Sequence, residues 1–109
     1  MRVSDCEKSA AFYARVLGLP ERRRLIDDSG HLRAVWVDAG DVVLMLETRL
    51  RGTGAESGSA HVLALAVDDL ESWRTRLAEA GVAIEDETGA TLYVRDPDGH
   101  RVGLSTHHF

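Results

Sequence analysis

Two stretches of the chain place apolar side chains at helical spacing, and each begins one half of the sequence. They read VSDCEKSAAFYARVLGL over residues 3–19 and VDDLESWRTRLAEAGV over residues 67–82, and both predict an amphipathic helix. Both stretches follow one plan of Val, an Asp cap, Cys or Leu and then Glu, which gives Asp5 and Asp69 as capping aspartates. Capping boxes are also predicted from Ser4 with Glu7 and from Asp68 with Glu71. Gly81 stands where a left-handed helix end is expected.

Strand-like alternation follows each helix. HLRAVWVDAGDVVLMLETR predicts a hairpin about Ala39 and Gly40, and ATLYVRDPDGHRVGLST predicts its counterpart about Asp98 and Gly99. Each half therefore follows the plan βαβββ. The Gly- and Ser-rich stretch RGTGAESGSA, residues 51–60, has no apolar periodicity and predicts a linker. We expect a single α+β domain over residues 1–109, with module 1 over about 1–50 and module 2 over about 61–109.

Composition narrows the classes of partner. The chain has 109 residues, 44% of them hydrophobic and 28% charged, with a formal net charge of −5. This sign disfavours binding to nucleic acid or to an anionic membrane surface. We find no apolar run long enough for a membrane span and no signal-peptide pattern, so we expect a cytoplasmic protein. Cys6 is the single cysteine, which excludes an intrachain disulfide, and we interpret it as a small helix residue.

Two motifs carry a family resemblance, SDCEKSAAFYARVLGLP and RDPDGHRVGLS. With the paired βαβββ plan, they make the chain similar to the vicinal oxygen chelate superfamily: glyoxalase I, bleomycin-resistance proteins, fosfomycin-resistance enzymes and ring-cleaving dioxygenases. The resemblance implies two modules forming a curved mixed sheet around a cavity. In catalytic members, a divalent metal ion held there by His and Glu side chains polarises two substrate oxygens.

The metal-ligand positions implied by the resemblance carry other residues in this chain. The first, a His about seven residues before Asp5, falls before Met1. The same spacing before Asp69 reaches Val62, and His61 lies one residue away, where strand alternation sends its side chain to the other face. The Glu expected four residues after Gly99 is replaced by Gly103. We therefore expect no metal ion.

The matching position in module 1, from an alignment of Gly40 with Gly99, is Leu44. Glu47 lies nearby, at the end of the strand. His61 and Glu47 stay as weak alternative metal ligands.

If Leu92, Val94, Val102 and Leu104 pack against the helices, the alternate residues face a cavity. The candidate ligand-binding residues are Trp36, Leu44, Tyr93, Arg95, Arg101 and Ser105, with Leu46 and Gly103 beside them. Aromatic rings stack on planar ligands, and an arginine binds a carboxylate or stacks on a ring.

Two functions stay open. The first is a metal-free protein that sequesters a hydrophobic or aromatic compound, similar to the bleomycin-resistance branch. The alternative is a divalent-metal-dependent lyase, isomerase or dioxygenase. Acid-base catalysis without a metal is weaker, because no carboxylate pair is predicted on the inward face. Members of the resembled family commonly pair, so we expect a homodimer.

Overall fold

The computed structural model describes residues 1–48 and 61–107, and their helices and strands follow the predicted order. The chain divides into two compact units, Met1–Gly54 and Ala55–Phe109. The predicted linker lies outside the described residues, so its position stays a prediction.

The first unit contains one helix and a sheet of three antiparallel strands. Helix α1 is Cys6–Ala10, and it continues as a π-helix over Ala11–Val16. The strands are β1 (Glu21–Ile26), β2 (Leu32–Ala39) and β3 (Val42–Glu47), in the order β1-β2-β3. Helix α1 packs against β2 and β3.

The first three residues extend this sheet on its β3 side. Arg2 forms a parallel bridge with Glu47. The N–H of Val3 donates to the carbonyl oxygen of Glu47 at 3.1 Å, and the N–H of Glu47 donates to that of Met1 at 3.0 Å. The first strand of module 1 is therefore present in a short form.

The second unit repeats this plan with a longer first strand. Its elements are β4 (Val62–Ala66), α2 (Leu70–Glu79), β5 (Asp86–Glu87), β6 (Thr91–Arg95) and β7 (Arg101–Ser105). The sheet order is β4-β7-β6-β5, with β4 and β7 parallel and the other pairs antiparallel. The predicted fold class, α+β with two βαβββ modules and mixed sheets, is confirmed.

Both helices begin one residue later than the predicted capping boxes. The Asp5 carboxylate accepts the N–H groups of Glu7 and Lys8, and the Asp69 carboxylate accepts those of Glu71 and Ser72. The predicted aspartate caps, Asp5 and Asp69, are confirmed, and the predicted capping boxes from Ser4 and Asp68 are wrong. An aspartate that reaches two free N–H groups of the first turn makes a better cap, because the helix dipole also favours its charge.

The helix end at Gly81 is as predicted. Gly81 has φ +71°, and the N–H of Val82 donates to the carbonyl oxygen of Leu77 at 2.9 Å. Leu77 is fully buried. No helix among residues 1–48 and 61–107 is long and apolar enough to cross a bilayer, and the cytoplasmic location stays a prediction.

Candidate functional site

One face of the first sheet is covered by α1, and the other is open. Arg24 of β1 reaches from the covered face to Glu7 of α1, with Nη1 2.8 Å from Oε1. Arg24 pairs with Val35, so the side chains next to Val35 on β2 point to the opposite, open face. Trp36 is one of them, and it pairs with Met45 of β3.

The open face of module 1 is apolar around an aromatic ring. Met45 and Val43 are each 39% exposed, and Trp36 is half-buried. The guanidinium carbon of Arg23 lies 5.4 Å from the centroid of the Trp36 ring. The indole Nε1 of Trp36 is covered and has no hydrogen-bond acceptor in the described part of the chain. Beside them, Nε of Arg22 lies 2.6 Å from Oδ1 of Asp38.

The expected grouping of Leu44 and Leu46 with Trp36 is wrong. Leu44 pairs with Val37 and Leu46 with Val35, so both lie on the face that α1 covers. Leu46 is fully buried and Leu44 half-buried. The error has a simple cause, because the β2-β3 turn contains only two residues and fixes which side chains share a face.

Sequence reasoning missed the residues that do surround Trp36. Met45 and Val43 belong to the predicted second strand of the hairpin, and counting outward from a two-residue turn at Gly40 and Asp41 would have placed Met45 opposite Trp36. Arg23 carried no such signal, because it stands within a run of three arginines that is also typical of a solvated strand edge.

In module 2 the two faces divide as expected. Leu92, Val94, Val102 and Leu104 share one face and are at most 1% exposed. On the other face Tyr93 pairs with Gly103, and Arg95 pairs with Arg101. Ser105 is on this face too but is 3% exposed, and its hydroxyl oxygen accepts from Thr91 Oγ1 at 2.9 Å and from the N–H of His107 at 3.2 Å.

An arginine also stacks on the aromatic ring of module 2. The guanidinium carbon of Arg101 lies 4.4 Å from the Tyr93 centroid, and its Nη2 is 3.4 Å from Oδ2 of Asp86. Its Nε is covered, without a hydrogen-bond acceptor among the described residues, and lies 3.9 Å from Oε2 of Glu85. The same carboxylate holds Arg95, with Nε at 2.8 Å and Nη2 at 3.1 Å. The charges of Arg95 and Arg101 are therefore already close to carboxylates of the same module.

Equivalent backbone hydrogen bonds within each module show which residues of the two modules correspond. The N–H of Val3 donates to the carbonyl oxygen of Glu47, and the N–H of Val67 donates to that of Ser105. Glu47 and Ser105 are therefore equivalent, and two residues before them Met45 corresponds to Gly103. Leu44 is therefore not the counterpart of Gly103, because the hairpin loop of module 2, residues 96–100, is longer than the β2-β3 turn.

The residues at the implied ligand positions do not fit a divalent metal ion. Val62 and Gly103 carry no donor atom in their side chains, and Met45 offers only a thioether, a poor ligand for hard divalent ions. The space at Gly103 is filled as well: an added Cβ would lie 3.3 Å from Cγ1 of Val62, 3.4 Å from Cγ2 of Thr91 and 3.4 Å from Cε1 of Tyr93. Larger side chains there require neighbours to move.

The weak alternative metal ligands lie in separate units. His61 is exposed and precedes β4, whose register extends its side chain toward the face of Leu63 rather than that of Val62. Glu47 is half-buried at the end of β3, on the open face with Met45. Within residues 1–48 and 61–107, no group of three or more His, Cys, Asp or Glu side chains could hold a metal ion.

The single cysteine occupies a structural position. Cys6 begins α1 and is 3% exposed. Burial raises the pKa of its thiol, and the charge of Asp5 raises it further. A thiol of this kind stays protonated near neutral pH and is a poor nucleophile.

Comparisons with known proteins agree with this architecture. A family model described as the Glyoxalase/Bleomycin resistance protein/Dioxygenase superfamily matches residues 1–104. The glutathione transferase FosA of Serratia marcescens is 33% identical over 111 residues, which cover 95% of this chain and 74% of the relative. A probable lactoylglutathione lyase of Synechocystis sp. is 30% identical over 118 residues, covering 95% and 88%.

A solved structure is similar to this chain in fold and in sequence. TnmS3, an antibiotic binding protein from Streptomyces sp. CB03234, superposes with a TM-score of 0.74 at 29% identity, covering 96% of this chain and 88% of that one. The chain therefore belongs to the Glyoxalase/Bleomycin resistance protein/Dioxygenase superfamily.

Proposed function

We propose that this protein binds a small hydrophobic or aromatic molecule without the help of a metal ion and without altering it. The observation that carries the proposal is the open face of module 1, where Trp36 lies among Met45 and Val43, each 39% exposed. Small-molecule sites are lined mainly by apolar and aromatic side chains with a few polar groups, and this face has that composition.

The face of module 2 that carries Tyr93 supports the same proposal with a different composition. Tyr93 presents a ring there, and Gly103 lies opposite it without a side chain. Arg101, stacked on the ring, and Arg95 supply polar groups for orientation. Ser105 remains a proposed contact through its hydroxyl hydrogen, since its oxygen already accepts two hydrogen bonds.

The absence of donors at Val62, Gly103 and Met45 favours binding over metal-assisted chemistry in this chain. The antibiotic binding protein TnmS3, which has the same fold at 29% identity, supplies a relative with a binding function. We propose by this analogy that the ligand is sequestered.

Tryptophan fluorescence and thermal unfolding test the proposal together. Trp73→Phe leaves Trp36 as the single tryptophan, and Trp36→Phe leaves Trp73 as the matched control. We expect aromatic compounds to quench the first variant in a saturable way and to raise its unfolding midpoint, with no saturable quenching of Trp73 in the control. No response to a broad panel of aromatic compounds would contradict the proposal.

A metal-dependent enzyme is the second candidate, favoured by the two relatives named as a transferase and a lyase. The test is thermal unfolding of chelator-treated protein in the presence of Ni²⁺, Mn²⁺, Fe²⁺ or Zn²⁺. A native-state ligand at about 100 times its Kd stabilises by about 2.7 kcal/mol, which for a domain of this size raises the midpoint by roughly 10 °C or more. Such a rise with one metal, lost in His61→Ala or Glu47→Ala, would establish the second candidate instead.

We also propose a homodimer in the cytoplasm. Strand β4 pairs only with β7 among the described strands, and its Val62 side chain is 42% exposed. An exposed apolar edge of this kind favours association with a second copy. Sedimentation velocity should give a dimer for the natural chain and a monomer for Val62→Lys, and a monomer in both would contradict the proposal.

A further inference from the structure

The three arginines of β1 differ in the groups that their guanidinium groups contact. Nε of Arg22 lies 2.6 Å from Oδ1 of Asp38. Arg24 is paired with both Glu7 and Glu21. Between them, Arg23 stacks on the Trp36 ring, and no ion pair joins it to a carboxylate within residues 1–48 and 61–107.

The ring under this guanidinium carries a second unpaired donor. The Trp36 indole Nε1 is covered and lacks an acceptor among the described residues. A covered N–H without an acceptor has lost its bond to water and gained none in return, which is unfavourable. A ligand oxygen that reaches Nε1 would remove this penalty. Entry requires a covering side chain to move, and Arg23 is an exposed side chain that lies over the ring and has no ion pair among the described residues.

We infer that the open face of module 1 selects an aromatic anion, whose carboxylate binds Arg23 and accepts the indole N–H of Trp36, while its ring packs on Met45 and Val43. This inference rests on the proposed binding function and specifies its ligand. Hydrogen bonds from a guanidinium to a carboxylate are stronger than those between neutral groups. A ring with an anionic oxygen therefore uses the apolar surface and both donors, whereas a neutral hydrocarbon uses the surface alone.

The face of module 2 that carries Tyr93 differs in this respect. Arg95 is bound by Glu85 through two nitrogens, and Arg101 lies 3.4 Å from Asp86. An anion that binds either of these arginines would have to displace or share the carboxylate that already contacts it. Selection for a negative charge is consequently assigned to Arg23.

Two-dimensional ¹⁵N–¹H NMR of the full chain tests the inference, because the protein has two indole N–H groups. Trp73→Phe assigns the remaining indole signal to Trp36. The probes are 2-naphthoate and 2-naphthamide, which have the same ring and differ in charge. We expect naphthoate to move the Trp36 indole proton downfield and to bind about tenfold more tightly than the amide, equivalent to about 1.4 kcal/mol.

Arg23→Gln should remove the tenfold preference for naphthoate. Arg33→Gln is the matched control, because it removes the same charge from β2 at a position whose side chain points to the α1 side. This control should keep the preference. Adding salt should weaken naphthoate binding and leave the amide unchanged.

The outcomes separate the two proposals. Equal binding of both probes to the natural chain, with the Trp36 signal moved, would overturn the anion inference and leave the binding function standing. A preference that survives Arg23→Gln would overturn the role of Arg23. No movement of any signal with either probe would overturn the anion inference, while the fluorescence screen with other aromatic compounds decides the binding function.

Discussion

Neighbouring residues of β3 should differ sharply in what they contribute to stability and to binding. Leu46 is fully buried on the α1 side, and Met45 is 39% exposed on the open side. Leu46→Ala removes a side chain that is packed all round, and such changes cost about 3 kcal/mol once the cavity is included. Met45→Ala removes a side chain that already meets solvent, so we expect a loss of about 1 kcal/mol.

Urea unfolding followed by circular dichroism measures this difference. With a slope of about 2 kcal/mol per molar, Leu46→Ala should lower the unfolding midpoint by about 1.5 M and Met45→Ala by about 0.5 M. Binding of 2-naphthoate should show the reverse order, with Met45→Ala weakening it severalfold and Leu46→Ala leaving it nearly unchanged below its unfolding transition. Equal losses of stability in the two variants, or weaker binding only in Leu46→Ala, would refute the assignment of faces.

Two further predictions concern the second helix. The hydrogen bonds that the N–H groups of Ser72 and Glu71 donate hold the pKa of Asp69 below its ordinary value, so its stabilising effect is present above about pH 4 and is lost as the pH falls through the lowered folded-state pKa. The unfolding midpoint of the natural chain should therefore fall more on acidification from pH 6 to pH 3 than that of Asp69→Asn, and parallel curves would contradict this. Gly81→Ala should lower stability by about 1 kcal/mol because Gly81 has φ +71° with open space around it, whereas Gly89→Ala, which also meets open space, should leave the thermal midpoint within about 2 °C.

The fold was predictable because its signals are local and repeated. Helical periodicity before each pair of strands, a glycine at the end of the second helix and the hairpin turn at Asp98 and Gly99 each follow from a few neighbouring residues. The aspartate caps were predictable as well, whereas the capping boxes were displaced by one residue. Ser4 and Asp68 fit the capping-box pattern, but Asp5 and Asp69 are the residues whose carboxylates reach the free N–H groups.

The composition of the open face of module 1 was not predictable in the same way. Trp36 was expected there, but Leu44 was grouped with it although strand pairing places Leu44 beside Val37 on the covered face. A shift of one residue in the assumed turn exchanges the two faces of a strand. The stacking of Arg23 on Trp36 depends on the pairing of β1 with β2. The register of that pairing could not be predicted, because the charged run on β1 has no apolar alternation.

The sequence by itself determined the family, the two-module plan and the absence of ligand side chains at Val62 and Gly103, because these depend on residue identity and short-range order. Tertiary structure alone decided which charges are already paired. The sequence does not distinguish Arg22 and Arg24 from Arg23, but Asp38 of β2 binds Arg22, and Glu7 of α1 binds Arg24 together with its near neighbour Glu21. Only the pairing of strands and the packing of α1 bring Asp38 and Glu7 within reach of β1, and so leave Arg23 available for a ligand.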